Sequence, residues 1–125
     1  MEASNVVPAV AVIGASSARH KYGNRAVRAY LRQGWTVYPV NPHETVIEGL
    51  PVFPSVSAIP GPIDRASLYL PPELGLAVLD EIQRKGIREL WVNPGAESDA
   101  LIARAEQLGL SPIQACSIVD IGERP

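Results

Sequence analysis

Short β-branched runs alternate with longer segments of helical period along this chain. Residues 6–13 are rich in valine and read as a buried strand, although Pro8 stands near its start. Over residues 22–33, Ala26, Val27, Tyr30 and Leu31 recur at i, i+3/i+4 spacing, and Gly34 follows. That pattern predicts a helix with a glycine terminator. Residues 35–40 form a second predicted strand, closed by Asn41 and Pro42. Residues 43–61 are irregular. Within them 49–53 read as a short third strand and 55–59 as one helical turn, while the prolines disfavour a long helix. Residues 66–70 are a fourth strand, ended by Pro71 and Pro72. A helix over 73–85 places Leu74, Val78, Leu79 and Ile82 on one face and stops at Gly86. Residues 89–92 are a fifth strand, ended by Asn93, Pro94 and Gly95. A helix over 97–108 carries Leu101, Ala105 and Leu108 on one face, with Glu97 and Asp99 in its first turn. Residues 112–116 read as a last short strand, and the tail has no clear period.

Strand alternating with helix predicts an α/β fold: one doubly wound domain over residues 1–125, with a mostly parallel five- to six-stranded sheet and helices on both faces. In such a fold a ligand lies beyond the carboxyl ends of the strands, where strand order reverses. The first strand ends in that region with Gly14, Ala15, Ser16, Ser17, Ala18, Arg19, His20 and Lys21, and a helix follows. A glycine turn, hydroxyls, cations and a helix start suit a phosphate, because backbone N–H groups and the positive helix end converge there. Capping serines in an ordinary turn are the plainer reading of Ser16 and Ser17.

At 46% hydrophobic and 19% charged residues, the 125-residue chain is expected to be globular rather than disordered. Its net charge of -2 counts against general nucleic-acid binding, though not against a small basic pocket. The single cysteine, Cys116, excludes an internal disulfide or a cysteine zinc site. The first five residues are polar, and no apolar run approaches the ~18 residues of a membrane span. No membrane association and a cytoplasmic location are therefore expected.

An NAD(P)-binding oxidoreductase-type domain would be the first candidate for a strand–glycine–helix start. Two features oppose it. Gly14 stands alone where that fingerprint wants three glycines, and the second strand ends in Val40, Asn41 and Pro42 rather than in an acid.

Four motifs in order point elsewhere: residues 10–17 (VAVIGASS), 38–42 (YPVNP), 49–56 (GLPVFPSV) and 68–72 (LYLPP). Together they resemble the small stand-alone CoA-binding domain proteins, and with them the CoA-binding domains of the succinyl-CoA synthetase α subunit and of ADP-forming acyl-CoA synthetases. The resemblance implies a Rossmann-like fold that binds coenzyme A or an acyl-CoA. By position it implies that Gly14, Ala15, Ser16 and Ser17 line the diphosphate loop, with Arg19 and Lys21 as cationic partners. Val40, Asn41 and Pro42 would flank the ligand, and Leu70, Pro71 and Pro72 would pack near its adenine or pantetheine arm. The larger enzymes of that kind carry separate catalytic domains, for which 125 residues leave no room. A non-catalytic domain is expected, meeting a second copy of itself or a catalytic partner. An assembly protein that kept the fold and lost the ligand is a third possibility.

Overall fold

The computed structural model describes residues 6–125; the first five residues, read above as a polar start, lie outside it. In chain order the elements are β1 (Ala9–Ile13), α1 (Tyr22–Arg32), β2 (Thr36–Val40), β3 (Val46–Ile47), β4 (Leu50–Pro51), a 3-10 turn (Val56–Ala58), β5 (Arg65–Leu68), α2 (Pro72–Arg84), β6 (Glu89–Val92), α3 (Asp99–Gln107), β7 (Ser111–Ile113) and α4 (Ser117–Asp120). Five strands form one parallel sheet in the order β2-β1-β5-β6-β7. This is the α/β architecture expected from the alternating pattern, and the Rossmann-like fold that the family resemblance implies.

β1 sits between β2 and β5 and is buried along its whole length, which is why it reads as an unbroken apolar run. Its side chains alternate between two cores. Val10 and Val12 pack with Ala26, Val27, Ala29 and Tyr30 of α1 and Ile118 of α4. Ala11 and Ile13 pack with Leu79 and Ile82 of α2 and Leu101 and Ala105 of α3. Helices thus cover both faces. The chain leaves β1 to one side for β2 and returns to the other side for β5, so strand order reverses between β1 and β5. Among the described residues, no helix is long and apolar enough to cross a membrane.

Several boundaries differ from the sequence reading. The first strand begins at Ala9, because Pro8 donates no ladder hydrogen bond. The expected third strand is instead a small antiparallel hairpin of β3 and β4. Its two turn residues, Glu48 and Gly49, have φ of 50° and 77°, the backbone of a tight two-residue hairpin turn. Phe53 makes only an isolated parallel bridge to Val40. The tail, without visible period, forms the one-turn helix α4. Leu31 and Leu74 share the spacing of the buried helix faces yet are exposed.

Candidate functional site

The geometry of the site starts at Gly14. Its φ is +93°, and a Cβ there would lie 2.6 Å from the Tyr69 carbonyl oxygen. Only glycine lets the end of β1 turn so close to the end of β5. The Gly14 and Ala15 N–H groups both donate to the Val40 carbonyl, at 3.1 and 3.3 Å. The ends of β2, β1 and β5 are thereby tied at the reversal point. Gly23 completes the arrangement from the helix side: a Cβ there would lie 2.2 Å from the Gly14 carbonyl oxygen, so its absence lets α1 start directly on the turn.

An open cleft of about 730 Å³ lies over these ends. Gly14, Ala15 and Ser16 form its floor, Lys21, Tyr22 and Gly23 bring the start of α1, and Pro71 and Pro72 bring the start of α2. Neither helix has a side-chain cap at its N-terminus, whereas α3, further along the sheet, is capped by Ser98 accepting from the Leu101 N–H. The two helices facing the cleft thus leave first-turn N–H groups and positive dipole ends directed at it. A second, more apolar cleft of about 410 Å³ adjoins it, lined by Ile13, Val40, Pro42, Val56, Leu70 and Leu74 among others. Gly14, Asn41 and Leu70 line both.

The loop after β1 is held by a polar network. The buried Asn24 side chain donates to the Ser16 carbonyl at 2.9 Å and to the Glu48 carboxylate at 3.0 Å, and accepts from Arg28 Nε at 2.7 Å. Arg28 also donates to the Arg19 carbonyl at 2.8 Å. Asn41 Nδ2 donates to the Ala15 carbonyl at 2.8 Å, and its Oδ1 accepts the His43 N–H at 2.7 Å. Two acids enter from the segment after β2. Glu44 accepts the Ser17 N–H at 3.1 Å, and the hydrogen bonds of Ser17 followed by the charge of Lys21 hold its carboxyl below the ordinary value. Glu48 pairs with Arg19 at 3.3 Å; its carboxyl is lowered chiefly by the Asn24 hydrogen bond.

On the β5–β6 side, the buried Asn93 donates to the Leu68 carbonyl at 2.9 Å and to Ser67 Oγ at 3.0 Å, and accepts the Ser117 N–H at 2.9 Å. Ser67 and Ser117 hydroxyls meet at 2.6 Å, and Tyr69 reaches Ser117 Oγ at 3.3 Å. Burial pushes the Tyr69 phenol up to about 12, so it stays a neutral hydroxyl at physiological pH. This network fastens the start of α4 beneath a small pocket of about 280 Å³ that also exposes Cys116.

Of the residues singled out from sequence, Gly14, Ala15, Ser16, Lys21, Asn41, Leu70, Pro71 and Pro72 line the larger cleft. Val40 and Pro42 line the adjoining one. Ser17 and Arg19 line neither; each meets a glutamate instead. Glu44, Asn24, Arg28 and Gly23 were not singled out from sequence. Only the short distance from Gly14 to the helix start could have signalled Gly23. Glu44 and the Asn24–Glu48 contact are brought in by long-range folding, while Arg28 reaches the loop through partners four and nine residues away.

The family model for the CoA binding domain matches residues 8–122. The ADP-forming acetate–CoA ligase I of Archaeoglobus fulgidus is 40% identical in an alignment 111 residues long that covers 81% of this chain and 16% of the relative; the chain therefore spans about a sixth of that protein. A conserved hypothetical protein of Pyrococcus furiosus superposes with a TM-score of 0.82 at 34% identity, covering 92% of this chain and 99% of that one. The acetyl-coenzyme A synthetase 1 of Ca. Korarchaeum cryptofilum, in complex with phosphate and ADP, gives a TM-score of 0.76 at 31% identity, covering 86% of this chain and 25% of that one.

Proposed function

This chain belongs to the CoA-binding domain family, and from that premise we propose that it binds coenzyme A or an acyl-CoA across the carboxyl ends of β2, β1 and β5. One observation carries the proposal: two uncapped helix starts and the Gly14 turn face a single open cleft at the reversal of strand order. In this role Gly14, Ala15, Ser16 and Ser17 form the diphosphate loop. Lys21 supplies a positive charge in the cleft, and Arg19 supplies a second from the loop's edge. Val40, Asn41 and Pro42 flank the ligand. Leu70, Pro71 and Pro72, with the apolar cleft beside them, take the adenine or the pantetheine arm. Asn41 acts by positioning, since its amide already holds the Ala15 carbonyl.

A dinucleotide is not favoured at this site. The acid that would accept ribose hydroxyls at the end of the second strand is absent, and Asn41 has both side-chain groups engaged within the protein. We further propose that residues 1–125 act as one binding domain, non-catalytic by itself, and that any chemistry on the bound thioester is supplied by a catalytic partner or needs a second copy. The cytoplasm is the compartment that goes with this role.

Isothermal titration of the folded, ligand-free protein with CoA, NAD and NADP tests the ligand class. Saturable heat with CoA alone is expected. Heat with NAD or NADP and none with CoA would overturn the proposal.

A further inference from the structure

The loop assigned above to a ligand diphosphate already holds an anion. Glu44 lines the cleft, and its Oε2 accepts the Ser17 N–H at 3.1 Å. The Ser17 N–H binds its carboxylate and the Lys21 charge favours it, an amide and a cation of the kind a phosphate would need. The backbone on either side is fixed: His43 N–H is held by Asn41 Oδ1, and the Thr45 carbonyl by the Val52 N–H. Only the Glu44 side chain has to move to vacate the loop. Glu48 likewise pairs with Arg19 at 3.3 Å, so a second carboxylate of the chain itself engages this loop.

We infer that Glu44 is an internal stand-in for a ligand phosphate: it occupies the loop in the free protein, must swing out when a phosphate-bearing ligand enters, and so sets the affinity of the site. The inference rests on the CoA proposal. It makes Glu44 a competitor of the ligand rather than a contact to it. A glutamate that instead accepted ribose hydroxyls would have the opposite effect on binding.

The test is titration of wild type, Glu44→Gln and Glu44→Ala with CoA, alongside amide hydrogen exchange at Ser17 without ligand. Glu44→Ala is expected to bind CoA about threefold to tenfold more tightly, the size of one exposed charge-assisted hydrogen bond removed from competition. Glu44→Gln keeps an acceptor but no charge and is expected to fall between the two. The Ser17 amide is expected to exchange faster in Glu44→Ala than in wild type. Unchanged or weaker CoA binding in both variants, with wild type binding normally, overturns the stand-in role alone. Equal Ser17 exchange in wild type and Glu44→Ala overturns it whatever CoA does. No CoA heat from any of the three proteins removes the CoA proposal itself.

Discussion

Replacing Gly14 with alanine tests the close approach on which the cleft is built. Two costs combine there. The residue sits at φ +93°, and an L side chain in the left-handed region costs about 1–2 kcal/mol. The new Cβ would also stand 2.6 Å from the Tyr69 carbonyl oxygen and 2.9 Å from its carbon, both backbone atoms that cannot rotate away. Relieving such an overlap by moving strand ends costs about 1–3 kcal/mol more. Gly34 provides the control: its φ is +82°, and a Cβ there would meet nothing within 4 Å. Gly34→Ala therefore incurs the first cost only. With a urea m-value of about 2 kcal/mol per M, the midpoint is expected to fall by roughly 0.5–1 M for Gly34→Ala and by roughly 1–2.5 M for Gly14→Ala. Equal shifts for the two variants would refute the close packing of the β1 and β5 ends.

Lys21→Ala is expected to weaken CoA binding about tenfold, as loss of one charge-assisted phosphate contact; Arg19→Ala should weaken it less, because Glu48 already engages that guanidinium. Titration calorimetry of both variants checks the order. Arg65 lies between the rings of Trp35 and Trp91, at 5.0 and 4.7 Å, and pairs with Glu89 and Asp120 at the opposite end of the sheet. Arg65→Ala is expected to cost about 2–4 kcal/mol in urea unfolding while leaving the CoA affinity of the folded protein unchanged; a large affinity loss would contradict that separation. Glu44, Glu48 and Glu123 have carboxyls held below their ordinary value of 4.5, the last by hydrogen bonds from Gln33 and Arg32. Their stabilising contribution is fully present above that value and is lost as pH falls through their lower folded values. The urea midpoint should accordingly fall below about pH 4.5 by less in Glu123→Gln than in wild type, with all three acids silent between pH 6 and 8.

The sheet was legible because its three inner strands, β1, β5 and β6, are buried on both faces. β6 runs over Glu89–Val92, the span read from sequence, and α1 stops one residue short of the expected Gln33. What escaped was set by contacts distant in sequence. β3 has two residues, too few for any period, and its turn places Glu48 at positive φ, which composition does not advertise. Leu31 and Leu74 follow the helical spacing yet are exposed, Leu74 as part of the lining of the apolar cleft. Within the cleft, the glycine turn and the strand-end prolines were visible as local chemistry. Glu44 was not: it lies in the irregular segment after β2 and is brought to Ser17 across 27 residues of chain. Asn24 looks like any polar residue of a helix start until the loop and hairpin close around it.

The most direct test of the central claim is to follow backbone amide resonances of the folded protein while CoA is added. Shifts are expected to concentrate at Gly14–Ser17, Tyr22, Gly23, Asn41 and Leu70, around the Gly14 turn and the start of α1. Saturable shifts centred instead on the opposite end of the sheet, near Trp35, Arg65 and Arg88, or no shifts at all, would contradict a CoA site across the strand ends.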